Sequence, residues 1–61
     1  MRYSELTQKL KEAGCYIVRD GSRHDMWYSP ITGKKFPVGR HKTQEVPPGT
    51  LNSILRDSGL K

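Results

Sequence analysis

Leu6, Leu10 and Ala13 stand at i, i+4 and i+7, an apolar stripe at helical spacing, with Lys9, Lys11 and Glu12 off it. Ser4 is the expected N-cap, and Glu5 suits the positive end of the helix dipole. Gly14 is a natural stop. From Cys15 to Arg19 the pattern changes to β-branched and aromatic residues, which predicts a strand. Asp20-Gly21 marks a tight turn and predicts an antiparallel return. The returning strand, His24 to Ser29, alternates: His24, Met26 and Tyr28 on one face, Asp25, Trp27 and Ser29 on the other. Pro30 to Gly33 is a second turn, and Lys34 to Val38 a third strand, with Pro37 marking it as an edge. A polar loop runs from Gly39 to Val46. Pro47-Pro48 then starts a helix with a Leu51, Ile54, Leu55 stripe, stopped at Gly59, with Leu60 folding back.

The expected order is therefore α-β-β-β-α in one domain spanning residues 1–61, of the α+β class. Two helices of about three turns cover only one face of a three-stranded antiparallel sheet. Both helices are thus expected on the same face, leaving an open sheet face or edge that carries polar residues. Double-stranded-RNA-binding domains have this element order. A chain of this size hides only about 60% of its unfolded surface, so its core is thin. It has no room for a cofactor-binding domain, and no cofactor is expected.

Charge and cysteine content narrow the partners. Lys and Arg number 11 against 6 Asp and Glu, a net charge of +5. Arg19, Arg23, Lys34, Lys35, Arg40 and Lys42 fall in one central stretch, offset only by Asp20 and Asp25. Clustered positive charge is the electrostatic footprint of nucleic-acid binding. Cys15 is the sole cysteine, so no internal disulfide forms, and the reducing cytoplasm is the expected compartment. No apolar run is long enough to span a bilayer, and no secretory-type leader is evident, so no membrane partner is expected. Two histidines and scattered acids do not make a metal site.

Four stretches carry a family resemblance. They are Ser4-Glu5-Leu6 with Leu10 and Gly14; Gly21-Ser22-Arg23-His24; the basic third strand leading to Arg40-His41; and Pro48-Gly49-Thr50-Leu51 through Ile54-Leu55 to Gly59-Leu60. In this order and spacing the chain resembles the HicA toxins of bacterial toxin–antitoxin pairs, also called YcfA-like proteins. The resemblance implies a double-stranded-RNA-binding-like fold and ribosome-independent cleavage of messenger RNA. It implies silencing by a HicB antitoxin, with operator DNA reached only indirectly through the antitoxin complex. The family's essential histidine falls on His24. Many members carry a second histidine where this chain has Arg23.

An imidazole gives or takes a proton near neutral pH, which is what RNA cleavage without a metal requires. His24 is the expected catalytic acid or base, with Gly21 supporting its turn. Ser22, Arg23, Lys34, Lys35, Arg40 and Lys42 are the expected RNA contacts. A second proton-transfer group is needed, and His41, a lysine or water could fill that role. Two other readings use the same residues: a non-catalytic RNA-binding module, and an interaction subunit whose basic face docks an acidic protein.

Overall fold

The computed structural model of the chain describes residues 1–21 and 23–61. Its elements are α1 (Tyr3–Glu12), β1 (Tyr16–Asp20), β2 (His24–Tyr28), β3 (Lys35–Gly39) and α2 (Pro48–Ser58). The strands form one antiparallel sheet in the order β1-β2-β3, the α-β-β-β-α layout expected from the pattern.

Helix α1 begins earlier than the Ser4 cap predicts. Arg2 is the N-cap residue, and its N–H donates to Glu5 Oε1 at 3.2 Å. The first helical N–H groups find partners in the loop that follows β3. Tyr3 N–H donates to the Gln44 carbonyl at 3.0 Å, and Ser4 N–H to the Lys42 carbonyl at 3.1 Å. Val46 N–H in turn donates to the Met1 carbonyl at 2.9 Å, and Arg2 pairs with Glu45 as an isolated bridge. The orphan donors of a helix start need some acceptor. Distant backbone supplies it here, so a capping hydroxyl has nothing left to satisfy. The chain's terminal amine also binds Glu45 Oε2 at 2.9 Å. That contact holds the Glu45 carboxyl below, and the amine above, their ordinary values, through the hydrogen bond first and charge attraction second.

One core lies between the helices and the sheet. Leu6 and Leu10 from α1, Cys15, Trp27 from β2, Phe36 and Val38 from β3, Val46 and Ile54 from α2 are all buried. Cross-strand register pairs Trp27 with Phe36 and Asp25 with Val38, so these residues share the helix-covered face. Of the two adjacent aromatics, Trp27 is the core residue, and Tyr28 stands half-buried on the opposite face. β1 is the least covered strand, exposed along its whole length.

Helix α2 is anchored at its C-terminal end by hydroxyls of the β2–β3 turn. Ser29 Oγ, fully buried, donates to the Ser58 carbonyl at 2.6 Å and accepts the Ile31 N–H at 3.2 Å. Thr32 Oγ1 donates to the Asp57 carbonyl. Gly59 closes the helix in the left-handed region at φ 86°, where a Cβ would stand 2.7 Å from Ile31 Cγ2. Leu60 then folds back, its N–H donating to the Leu55 carbonyl at 3.0 Å.

Replacing Ser29 by Ala leaves the buried Ser58 carbonyl without its donor. Denaturant unfolding should show a loss of about 1–3 kcal/mol, the cost of an unsatisfied buried polar group.

Candidate active site

His24 opens β2, directly after the β1–β2 turn, and its side chain is exposed. The turn closes with Gly21 N–H donating to the His24 carbonyl at 2.9 Å. A glycine in a tight turn commonly serves to take a positive φ. Positive φ instead occurs at Gly14, Gly33 and Gly59, and Gly21 is constrained by space. A Cβ there would overlap the His24 carbonyl oxygen. Any larger residue must push the hairpin end apart and displace His24 with it.

Two open depressions meet at His24. One is lined by Tyr3, Arg23, His24, Gly39, Arg40 and His41. The other is lined by Arg19, Asp20, Gly21, His24, Asp25, Met26 and Pro37, and runs onto the sheet face. His24 therefore has cationic groups on both sides, with the carboxylates of Asp20 and Asp25 also lining the second depression. Among the described residues no carboxylate lies within ion-pair distance of Arg23, which leaves its guanidinium available to an anion.

The expected RNA contacts are dispersed. Arg23 stands beside His24. Arg40 is already engaged: Nε donates to Asp25 Oδ1 at 2.7 Å, and Nη2 donates to the Gly21 carbonyl. One guanidinium thus ties the end of β3 to the start of β2 and to the turn. It also neutralises Asp25, which faces Asp20 across the β1–β2 ladder, where like charges repel. Lys42 lines an adjoining groove beside α1 with Thr7, Lys11, Ile17 and Trp27, which shares Tyr3, Gly39 and Arg40 with the His24 depression. Lys35 pairs with Tyr28 at the far end of the sheet, and Lys34 sits in the turn next to it. Ser22 lies outside the described residues.

Two residues at the site, Tyr3 and Arg19, escaped the sequence pattern, and a third, His41, was one of several candidates for the second proton group. His41 shares the His24 depression because its loop is hydrogen-bonded to the start of α1. Tyr3 packs over Gly39, the cross-strand partner of His24; a Cβ at Gly39 would lie 3.3 Å from Tyr3 Cζ. Arg19 is turned by a β-bulge. The register runs Ile17 to Trp27 and then Arg19 to Met26, leaving Val18 as the extra residue. Strict alternation from Ile17 would place Arg19 on the helix side; the bulge re-aims it to the face that carries His24. Cys15 is buried in the core.

A family model described as the HicA toxin of bacterial toxin–antitoxin matches residues 3–60. The chain belongs to the HicA toxin family. The match includes α1, the sheet, the His41 loop and α2, so His24 and everything around it except Met1, Arg2 and Lys61 fall inside it. A toxin of this family works against an antitoxin partner. No curated protein and no solved structure gives a significant match. Among the described residues, no helix of this HicA chain is long and apolar enough to cross a membrane. No three His, Cys, Asp or Glu side chains among them converge as a metal-binding group.

Arg40→Ala should loosen the hairpin that presents His24 and leave Asp20 facing an unneutralised Asp25. The partly exposed contacts predict a loss of about 1 kcal/mol in unfolding free energy. Lys42→Ala, whose side chain makes no hydrogen bond or ion pair with the described residues, should leave the unfolding midpoint unchanged.

Proposed function

We propose that this toxin is a metal-independent endoribonuclease that cleaves messenger RNA in the cytoplasm, without the ribosome, and is held inactive by a HicB antitoxin. The observation that carries this reading is the exposed His24 imidazole sharing one depression with Arg23 and His41, in a HicA-family chain of net charge +5. The same reading takes residues 1–61 as a single toxin domain.

The chemistry follows from the groups at hand. A phosphodiester entering the depression meets the unpaired Arg23 guanidinium, which offers a bidentate donor pair to its oxygens. One imidazole takes the proton of the 2′-hydroxyl, and the oxygen attacks the adjacent phosphorus. The other gives a proton to the departing 5′-oxygen as the P–O bond breaks. The products are a 2′,3′-cyclic phosphate and a 5′-hydroxyl end. His24 and His41 share these two transfers, which supplies the second proton group that sequence reasoning left open between His41, a lysine and water. Arg40, at the border of the same depression, supports His24 through Asp25 and Gly21. Lys34, Lys35 and Lys42 lie outside the depression and contribute long-range attraction for the polyanion.

Incubation of purified protein with RNA tests the assignment. His24→Ala should abolish cleavage with the fold intact by circular dichroism, and His41→Ala should lower kcat by about 100-fold or more. EDTA should leave the wild-type rate unchanged. Cleavage by His24→Ala at the wild-type rate would end the assignment. RNA left intact by wild-type protein, with salt-dependent binding retained, would instead favour a non-catalytic RNA-binding module.

The antitoxin must exclude RNA from the same depression. Because it binds the folded toxin, saturating antitoxin should raise the thermal midpoint. An unchanged midpoint would contradict direct binding.

A further inference from the structure

The sheet face opposite the helices is uncovered, and its composition departs from the polar surface expected there. Register and alternation place Tyr16, Arg19, His24, Met26, Tyr28, Lys35, Pro37 and Gly39 on it. Four of these are aromatic or apolar side chains and two are permanent cations; Asp20 and Asp25 belong to the other face by register, though both line the depression at His24. Tyr16 and Tyr28 are cross-strand partners with ring centroids 5.5 Å apart and ring planes tilted by 52°. Tyr16 is 51% exposed. Neither ring belongs to the core cluster. The depression at His24 opens onto this face through Met26 and Pro37, and Lys35 stands beside Tyr28 at its far end.

We propose that Tyr16 and Tyr28 form a base-stacking subsite for an unpaired RNA strand that runs along the open sheet face, from the His24 depression toward Lys35. The proposal rests on the nuclease reading above and adds to it the state of the substrate and a second point of contact. Every base has a π-face, so an exposed tyrosine pair accepts bases without regard to sequence. Those faces are available only where bases are unstacked. A duplex hides them and is gripped through its phosphates and 2′-hydroxyls instead. Arg19 and Lys35 attract the backbone on either side. Tyr28 lies four strand residues from His24, about 13 Å along the strand. That exceeds the ~3.4 Å rise between neighbouring stacked bases. The subsite therefore holds a flanking nucleotide away from the scissile bond.

Equilibrium binding in the His24→Ala background, with a short fluorescent unpaired oligoribonucleotide and its duplex as probes, tests this. Tyr16→Leu and Tyr28→Leu keep apolar bulk but remove the π-face. Each should weaken binding of the single strand by about 5- to 150-fold, the range for one lost base stack. The Phe variants should keep wild-type affinity, and duplex binding should not change. The salt dependence should stay as in the parent for the Leu variants and become shallower for Lys35→Ala. With His24 intact, the Leu variants should raise KM and leave kcat unchanged, as loss of uniform binding does. Should Tyr28→Leu fail to fold, the exposed Tyr16→Leu carries the test alone. Single-strand affinity unmoved by the Leu changes would overturn the proposal, as would an equal loss of duplex binding. Unmoved RNA affinity with loss of antitoxin binding would also overturn it and reassign the face to the protein partner. Because binding is measured without cleavage, a wild-type protein that fails to cut RNA removes the nuclease reading and leaves the subsite to be judged by affinity alone.

Discussion

Two helices of 10 and 11 residues meet a three-stranded sheet, and Trp27, Phe36 and Val38 fill the one face they can cover. Among the described residues no third layer covers the other side. Most of the chemistry described above follows from this one-sided burial. His24, Arg19 and the tyrosine pair are accessible because the sheet that carries them has its back to the core. A larger domain would bury such a face. Here it is left as the broadest surface an extended polyanion can lie along.

The end of that sheet is held by polar contacts. The loop after β3 satisfies the first N–H groups of α1, and Arg40 joins β3 to the β1–β2 turn. Together these contacts bring residues from three separated stretches of chain around His24: Tyr3, Arg23, and Gly39 to His41. Hydrogen bonds of this kind contribute modestly one by one, and a small domain has a correspondingly small margin. A partner that grips the same end would therefore both block the site and stabilise the fold. This matches the role of an antitoxin toward a toxin of this family.

Arg40 and His41 are neighbours in the sequence with different uses. Arg40 is occupied by Asp25 and Gly21, and so acts through the hairpin on the placement of His24. His41 shares the depression with His24. Read as a string, Arg40-His41-Lys42 is one basic patch whose members are equivalent. His41 lines the His24 depression, Lys42 the groove beside α1, and Arg40 borders both, because the loop is pinned at Lys42 and Gln44 by the start of α1.

Element order, the helix-facing stripe, the split between Trp27 and Tyr28 and the family itself were legible in the sequence, because each rests on local spacing. Alternation along β2 needs only the period of a strand, and it also put His24 on the face away from Trp27. The Arg2 cap, the crowding at Gly21, the turn of Arg19 and the placement of His41 beside His24 were not legible. Each depends on a contact across the chain: a carbonyl supplied by the loop after β3, the His24 oxygen facing Gly21, the extra residue Val18 in β1, and a backbone ladder to α1. Local periodicity sets which side of an element a residue faces. Only the folded chain decides what stands opposite it, since that is a matter of register and closure between distant segments.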